Sequence, residues 1–134
     1  MTCSACGSAT ISFAVPAKHR SDAPSGAAIA SFCPHCLTLE SAPTEDEVTT
    51  DKPDFTRVSD RFPTQPERAI PLALAIGLCS SLATNRAAIE SLLEAVERAG
   101  ADPLLVFDRL SADPSIEPAI DLERRRHQLE QLRD

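Results

Sequence analysis

Two C-x2-C pairs, Cys3-Ser4-Ala5-Cys6 and Cys33-Pro34-His35-Cys36, stand 26 residues apart in a chain of 134. No other feature limits the fold so strongly. A two-residue spacer turns tightly enough to aim both sulfurs inward, where backbone amides can donate to them. Two such pairs supply four thiolates in a tetrahedron, a donor set that suits zinc and leaves no open position for a substrate. Cys3, Cys6, Cys33 and Cys36 are therefore the expected ligands of a structural Zn2+ ion, with iron as the less favoured alternative. Gly7 follows the first pair and supplies the left-handed backbone that closes such a turn. Leu37 occupies the equivalent place after the second, so that knuckle is expected to close differently.

The residues between the pairs read as a short antiparallel ribbon. Ile11, Phe13 and Val15 alternate with Thr10, Ser12 and Ala14, a period of two that fits a half-buried strand. Residues 16–26 carry turn chemistry, residues 27–32 can form a returning strand, and Leu37 and Leu39 alternate with Thr38 and Glu40. The ribbon has too few large apolar side chains to offset the conformational entropy of ordering 40 residues. Metal binding is the expected source of the difference, so the ribbon should be unfolded without it.

A different character begins at residue 41. Pro43, Pro53, Pro63 and Pro66 punctuate a stretch that also holds Glu45-Asp46-Glu47. It reads as a linker that docks Phe55 and Phe62 onto a neighbour. Helical signals follow. Thr64-Gln65-Pro66-Glu67 fits a capping box, and a very apolar helix continues to about residue 83, with Pro71 either kinking it or starting it. Asn85 and Gly100 bracket the next helix as N-cap and C-cap. Asp102-Pro103 and Asp113-Pro114 each set a capping Asp before a proline at the first helical position. The expected fold class is α+β: a small N-terminal zinc β-ribbon (residues 1–40), a Pro- and acid-rich linker (41–66), and a three- or four-helix C-terminal module (67–134).

Other residues can be weighed against this frame. Cys33-Pro34-His35-Cys36 matches the dipeptide of oxidising thioredoxin-fold enzymes, but that chemistry needs a helix N-terminus after a βαβ segment. Only 32 residues precede it here, and they hold the other cysteine pair. His35 is a spacer residue expected to face solvent, and Cys79 lies in the most apolar helix as a small core residue. Ala69, Ala73 and Gly77 form a small-residue stripe that serves close helix approach within the core or a homodimer seam. Lys18, His19 and Arg20 fall at the ribbon tip, where they are a solvated turn or a contact to nucleic-acid phosphates. Arg124, Arg125 and Arg126 spread around a helix and are accounted for by i,i+4 pairing through Asp121–Arg125, Glu123–His127 and Arg126–Glu130. No Ser-His-Asp grouping, phosphate-cradling glycine loop or HExxH motif occurs, so a non-enzyme is expected.

Thirteen basic residues, only two of them Lys, face 20 carboxylates for a net charge of -7. Low lysine with excess carboxylate is the pattern of surfaces kept soluble in concentrated salt, where the Debye length falls to about 3 Å and net charge says little about partners. Trp and Tyr are missing, which removes the usual stacking platforms for bases. The start Met1-Thr2-Cys3-Ser4 lacks a basic, apolar leader, and the most apolar run, residues 69–83, is too short to span a bilayer. A cytoplasmic protein without membrane contact is expected.

The whole chain resembles an uncharacterised haloarchaeal domain family of unknown function. The resembling stretches are CSACG with FAVP, ALAIGL, LATNRAAIESLLEAVERAG, FDRLSADPS and ERRRHQLEQL. The resemblance implies a zinc-ribbon-like N-terminus, an archaeal cytoplasmic setting, no established activity, and Cys3, Cys6, Cys33 and Cys36 as metal ligands. Together these readings lead to a zinc-binding interaction or adaptor protein with a protein partner. A nucleic-acid-associated factor of transcription or translation, using Lys18, His19 and Arg20, is the alternative. Reversible thiol-redox or metal-trafficking work by the cysteine pairs is the third.

Overall fold

The computed structural model describes residues 3–23, 26, 28–41, 55–59, 62–118 and 120–132. Three short strands, β1 (Ile11–Ala14), β2 (Ile29–Phe32) and β3 (Leu39–Ser41), form an antiparallel sheet in the order β1-β2-β3. The register pairs Ile11 with Phe32 and Ala14 with Ile29, and on the other edge Phe32 with Leu39. The alternation read from the sequence holds: Ile11, Phe13 and Val15 are buried, whereas Ser12 is half-buried and Ala14 is exposed. Leu37 is not part of β3. It belongs to the turn before the strand.

Among the described residues four α-helices follow: α1 (Pro66–Leu78), α2 (Leu82–Arg98), α3 (Pro103–Ser111) and α4 (Leu122–Leu132). The protein is thus α+β. α1 begins at Pro66 in the first helical position, with Gln65 as N-cap and no side-chain cap bond, so the capping box centred on Thr64 does not form. A proline there loses nothing, because the first amides have no helical partner anyway. Pro71 is carried inside the helix and buried. A 3-10 turn, Cys79–Ser81, separates α1 from α2, and Asn85 breaks the helical run with φ -107° while its Nδ2 donates to the Leu78 carbonyl. The run from Pro66 to Arg98 is long and apolar enough, by length and composition alone, to cross a membrane. Within it, every residue from Ala69 to Ile76 is buried in the core.

The remaining caps are partly as expected. Gly100, at φ 100°, ends α2 in a Schellman motif, with Gly100 N–H donating to Glu97 O and Ala101 N–H to Val96 O. Asp102 accepts from Leu105 N–H and caps α3. Asp113 does not open α4. Its carboxylate accepts from the Ser115 amide and hydroxyl, making a turn, and α4 starts eight residues later, where Asp121 Oδ1 accepts from Arg124 N–H. Pro118 explains the delay, because it disfavours helical backbone at Glu117.

One apolar core runs through sheet and helices. It includes Ile11, Phe13 and Phe32 of the sheet, Leu72, Leu74 and Ile76 of α1, and Ile89, Phe107 and Leu129 of the later helices. Most of the expected linker, residues 42–54, 60 and 61, lies outside the described residues. Phe55, Val58 and Phe62 are buried, and the docking expected of the two phenylalanines is present. Phe55 stands 5.6 Å from Phe13 and 5.9 Å from Phe62, which is 6.1 Å from Phe32, measured between ring centroids. Arg57 fastens this piece by donating to the carbonyls of Ala9 and Thr10.

The small-residue stripe is used inside the chain. Ala69 and Ala73 are fully buried, and a Cβ placed on Gly77 would lie 2.5 Å from Leu39 Cβ. At Gly77 the element brought close is therefore strand β3 rather than a second helix.

Candidate metal centre

The two knuckles are built alike. Cys3 N–H donates to Ser8 O at 2.8 Å and Gly7 N–H to Cys3 O at 2.9 Å. In the second, Cys33 N–H donates to Thr38 O at 2.9 Å and Leu37 N–H to Cys33 O at 3.0 Å. Gly7 has φ 80° and Leu37 has φ 62°. The expectation that the second knuckle closes differently is thus corrected, since Leu37 takes the same left-handed backbone as glycine. Its side chain is buried in the main core, and that burial offsets a backbone penalty of about 1–2 kcal/mol.

The sheet sets the distance between the knuckles. One precedes β1, the other joins β2 to β3, and the β1–β2 pairing brings them to one end. All four Sγ atoms lie within 4.8 Å of one another. Cys3 Sγ is 3.6 Å from Cys36 Sγ, and Cys6 Sγ is 3.5 Å from Cys33 Sγ. A tetrahedron with metal–sulfur bonds of about 2.3 Å has edges of about 3.8 Å, so the cluster has the dimensions that a four-thiolate ion requires. The separations are far longer than the ~2.05 Å of a disulfide, and all five cysteines are free thiols.

The sulfurs differ in surroundings. Cys33 Sγ accepts from the His35 and Cys36 amides, both at 3.4 Å. Burial nevertheless pushes its thiol up to about 12, and burial also raises Cys36, against the Thr38 hydroxyl at 3.0 Å that favours its thiolate. Cys6 is exposed, and the Ser8 hydroxyl, followed by the Ser8 amide, holds it down to about 6. Cys3, Cys33 and Cys36 form a small buried cluster of their own. Buried sulfurs that already receive amide donors but resist ionisation are suited to a cation, which reverses the effect of burial on their charge.

Ser8 and Thr38 were not singled out from the sequence. Both sit two residues after the second cysteine of a pair, and the repeated C-x2-C-x-[Ser/Thr] is the signal that could have found them. Ser4, in the first spacer, donates to Glu40 of β3. His35 is outside the sulfur cluster but is not simply a solvated spacer residue. The segment linking α3 to α4 clasps it: Glu117 N–H donates to His35 O at 2.8 Å, His35 Nδ1 lies 3.1 Å from Ser115 O, and Nε2 lies 3.6 Å from the Glu117 carboxylate.

The other candidates are placed as follows. Lys18, His19 and Arg20 lie in a 3-10 helix, Ala17–Asp22, at the tip between β1 and β2. Lys18 and Arg20 are exposed, but His19 is buried, so the tip presents two cations rather than three basic groups. Cys79 is fully buried, and burial pushes its thiol up to about 12. In α4, Arg126 forms the expected pair with Glu130 at 3.3 Å and also binds Asp108 of α3 at 2.7 Å. Arg125 donates to Gln128, while Asp121 serves as the cap.

The model of a family of unknown function, DUF6276, matches residues 2–133. No curated protein and no solved structure matches the chain.

Proposed function

The chain belongs to this family of unknown function (DUF6276), and on the sulfur geometry we propose that it is a non-enzymatic interaction or adaptor protein built around a structural four-cysteine zinc site. The convergence of four thiols from two matching knuckles within 4.8 Å carries the reading. Cys3, Cys6, Cys33 and Cys36 hold Zn2+ with every coordination position filled by protein. The ion then fixes the end of a small sheet whose other contacts are to the helices, which makes it a folding element rather than a reaction centre. The setting is the cytoplasm of a salt-adapted archaeon, where thiols stay reduced, and the partner is a protein. A nucleic-acid-associated role is less well supported, because the tip offers only Lys18 and Arg20 to phosphates.

Elemental analysis of the purified chain, paired with cobalt substitution, tests the site. One zinc per chain and the charge-transfer bands of a tetrahedral cobalt–thiolate centre are expected, both lost in Cys33→Ser. Chelation should unfold β1–β3 as followed by amide exchange. Retention of full sheet protection after complete metal removal would refute the structural role.

A further inference from the structure

A groove of about 360 Å³ lies between the start of α2 and α4, lined by Leu82, Ala83, Arg86, Arg125, Gln128 and Gln131. Its charge is opposite to that of the chain as a whole. The protein carries 20 carboxylates against 13 basic side chains. Among the described residues no carboxylate lines the groove, and neither Arg86 nor Arg125 forms an ion pair. Arg125 is half-buried, and its guanidinium donates to the neutral Gln128 Oε1 at 2.9 Å. Two guanidinium forks and two carboxamides thus line one concave surface without a counter-charge among the described residues, beside the apolar Leu82 and Ala83. Arginine forks match carboxylates in a bidentate manner.

We propose that this groove docks an acidic peptide segment of a protein partner, with Arg86 and Arg125 holding a Glu or Asp carboxylate and Leu82 and Ala83 receiving an apolar neighbour. The proposal rests on the interaction-protein reading above and gives it a partner class. The volume suits a few residues. A nucleic acid fits less well, because among the described residues no aromatic side chain lines the groove for base stacking.

The test titrates the full-length, metal-loaded chain into a fluorescein-labelled peptide, Leu-Glu-Glu-Leu-Glu-Leu, and reads anisotropy. The control peptide has every Glu replaced by Gln. Saturable binding of the acidic peptide is expected, with at least tenfold weaker binding of the control. Arg86→Gln and Arg125→Gln should each weaken binding about tenfold, the loss of one charge-assisted contact. Arg98→Gln, outside the groove, should leave it unchanged. Circular dichroism and the cobalt spectrum verify that each variant is folded and metal-competent. No saturable binding, equal affinity for the two peptides, or full binding by both groove variants would overturn the proposal. So would an oligothymidylate that binds more tightly than the peptide and is lost in the same variants. Failure of the peptide with an intact cobalt spectrum removes the groove alone, whereas peptide binding by a chain that takes no metal removes the zinc reading alone.

Discussion

At Leu37 two demands oppose each other, and a pair of substitutions separates them. The residue is 3% exposed and has φ 62°. Leu37→Ala removes the buried side chain while keeping the left-handed backbone, a loss of about 2–5 kcal/mol for transfer and cavity together. Leu37→Gly removes the same side chain and also relieves about 1–2 kcal/mol of left-handed strain. Against that relief stands the greater freedom of glycine in the unfolded chain, about 0.4–1 kcal/mol. The Ala-to-Gly step at position 37 should therefore be neutral or stabilise by up to about 1.6 kcal/mol. At Leu72, equally buried but in ordinary helical backbone, the same step costs about 1 kcal/mol. Urea unfolding followed by far-UV circular dichroism, at saturating zinc so that binding linkage is constant, measures all four variants. The two Ala-to-Gly steps should differ by about 1–2.6 kcal/mol. Equal steps at both positions would refute the view that burial holds Leu37 in a strained turn.

Further outcomes follow from packing, caps and titration. Ala in place of Gly normally favours a helix by about 1 kcal/mol, but Gly77→Ala forces a methyl onto Leu39 Cβ, so a net destabilisation of about 1–2 kcal/mol is expected in thermal or urea unfolding. Asp121→Ala should lower stability by about 1 kcal/mol and speed amide exchange in the first turn of α4, whereas Asp113→Ala should leave exchange there unchanged. Burial, and then the Lys18 charge, lowers the pKa of His19, with Asp22 opposing. The unfolded chain thus takes up this proton first. The His19 contribution is complete above about pH 6.5 and is lost as pH falls below it, by at most about 1.4 kcal/mol per pH unit. The stability difference between the parent and His19→Asn, both metal-loaded, should shrink across that window; a constant difference from pH 7.5 to 5.5 would contradict this.

Patterns confined to one element were legible in the sequence. The period of two in Ile11, Phe13 and Val15, the glycine after α2, and Asp102-Pro103 before α3 each depend on neighbours only a few residues away. The convergence of the four cysteines was legible as well, because two C-x2-C pairs in one short chain form a characteristic set for one shared site. What failed depended on competition between local signals or on distant partners. Asp113-Pro114 and Asp121 both carry capping chemistry, and Pro118 decides between them. The left-handed Leu37 is set by a core on which residues far along the chain converge. The partner of Gly77 is a strand that no helical periodicity could name, and the same holds for the clasp on His35.

That clasp joins residues 80 positions apart. During synthesis both cysteine pairs leave the ribosome well before Ser115 does, and at about 5–20 residues per second the interval is several seconds. For that time the nascent chain offers a full set of sulfurs beside an unrestrained second spacer. The second knuckle is thus complete in sequence long before the contacts that fasten its spacer, and completion of the C-terminal third is what pins His35 in place.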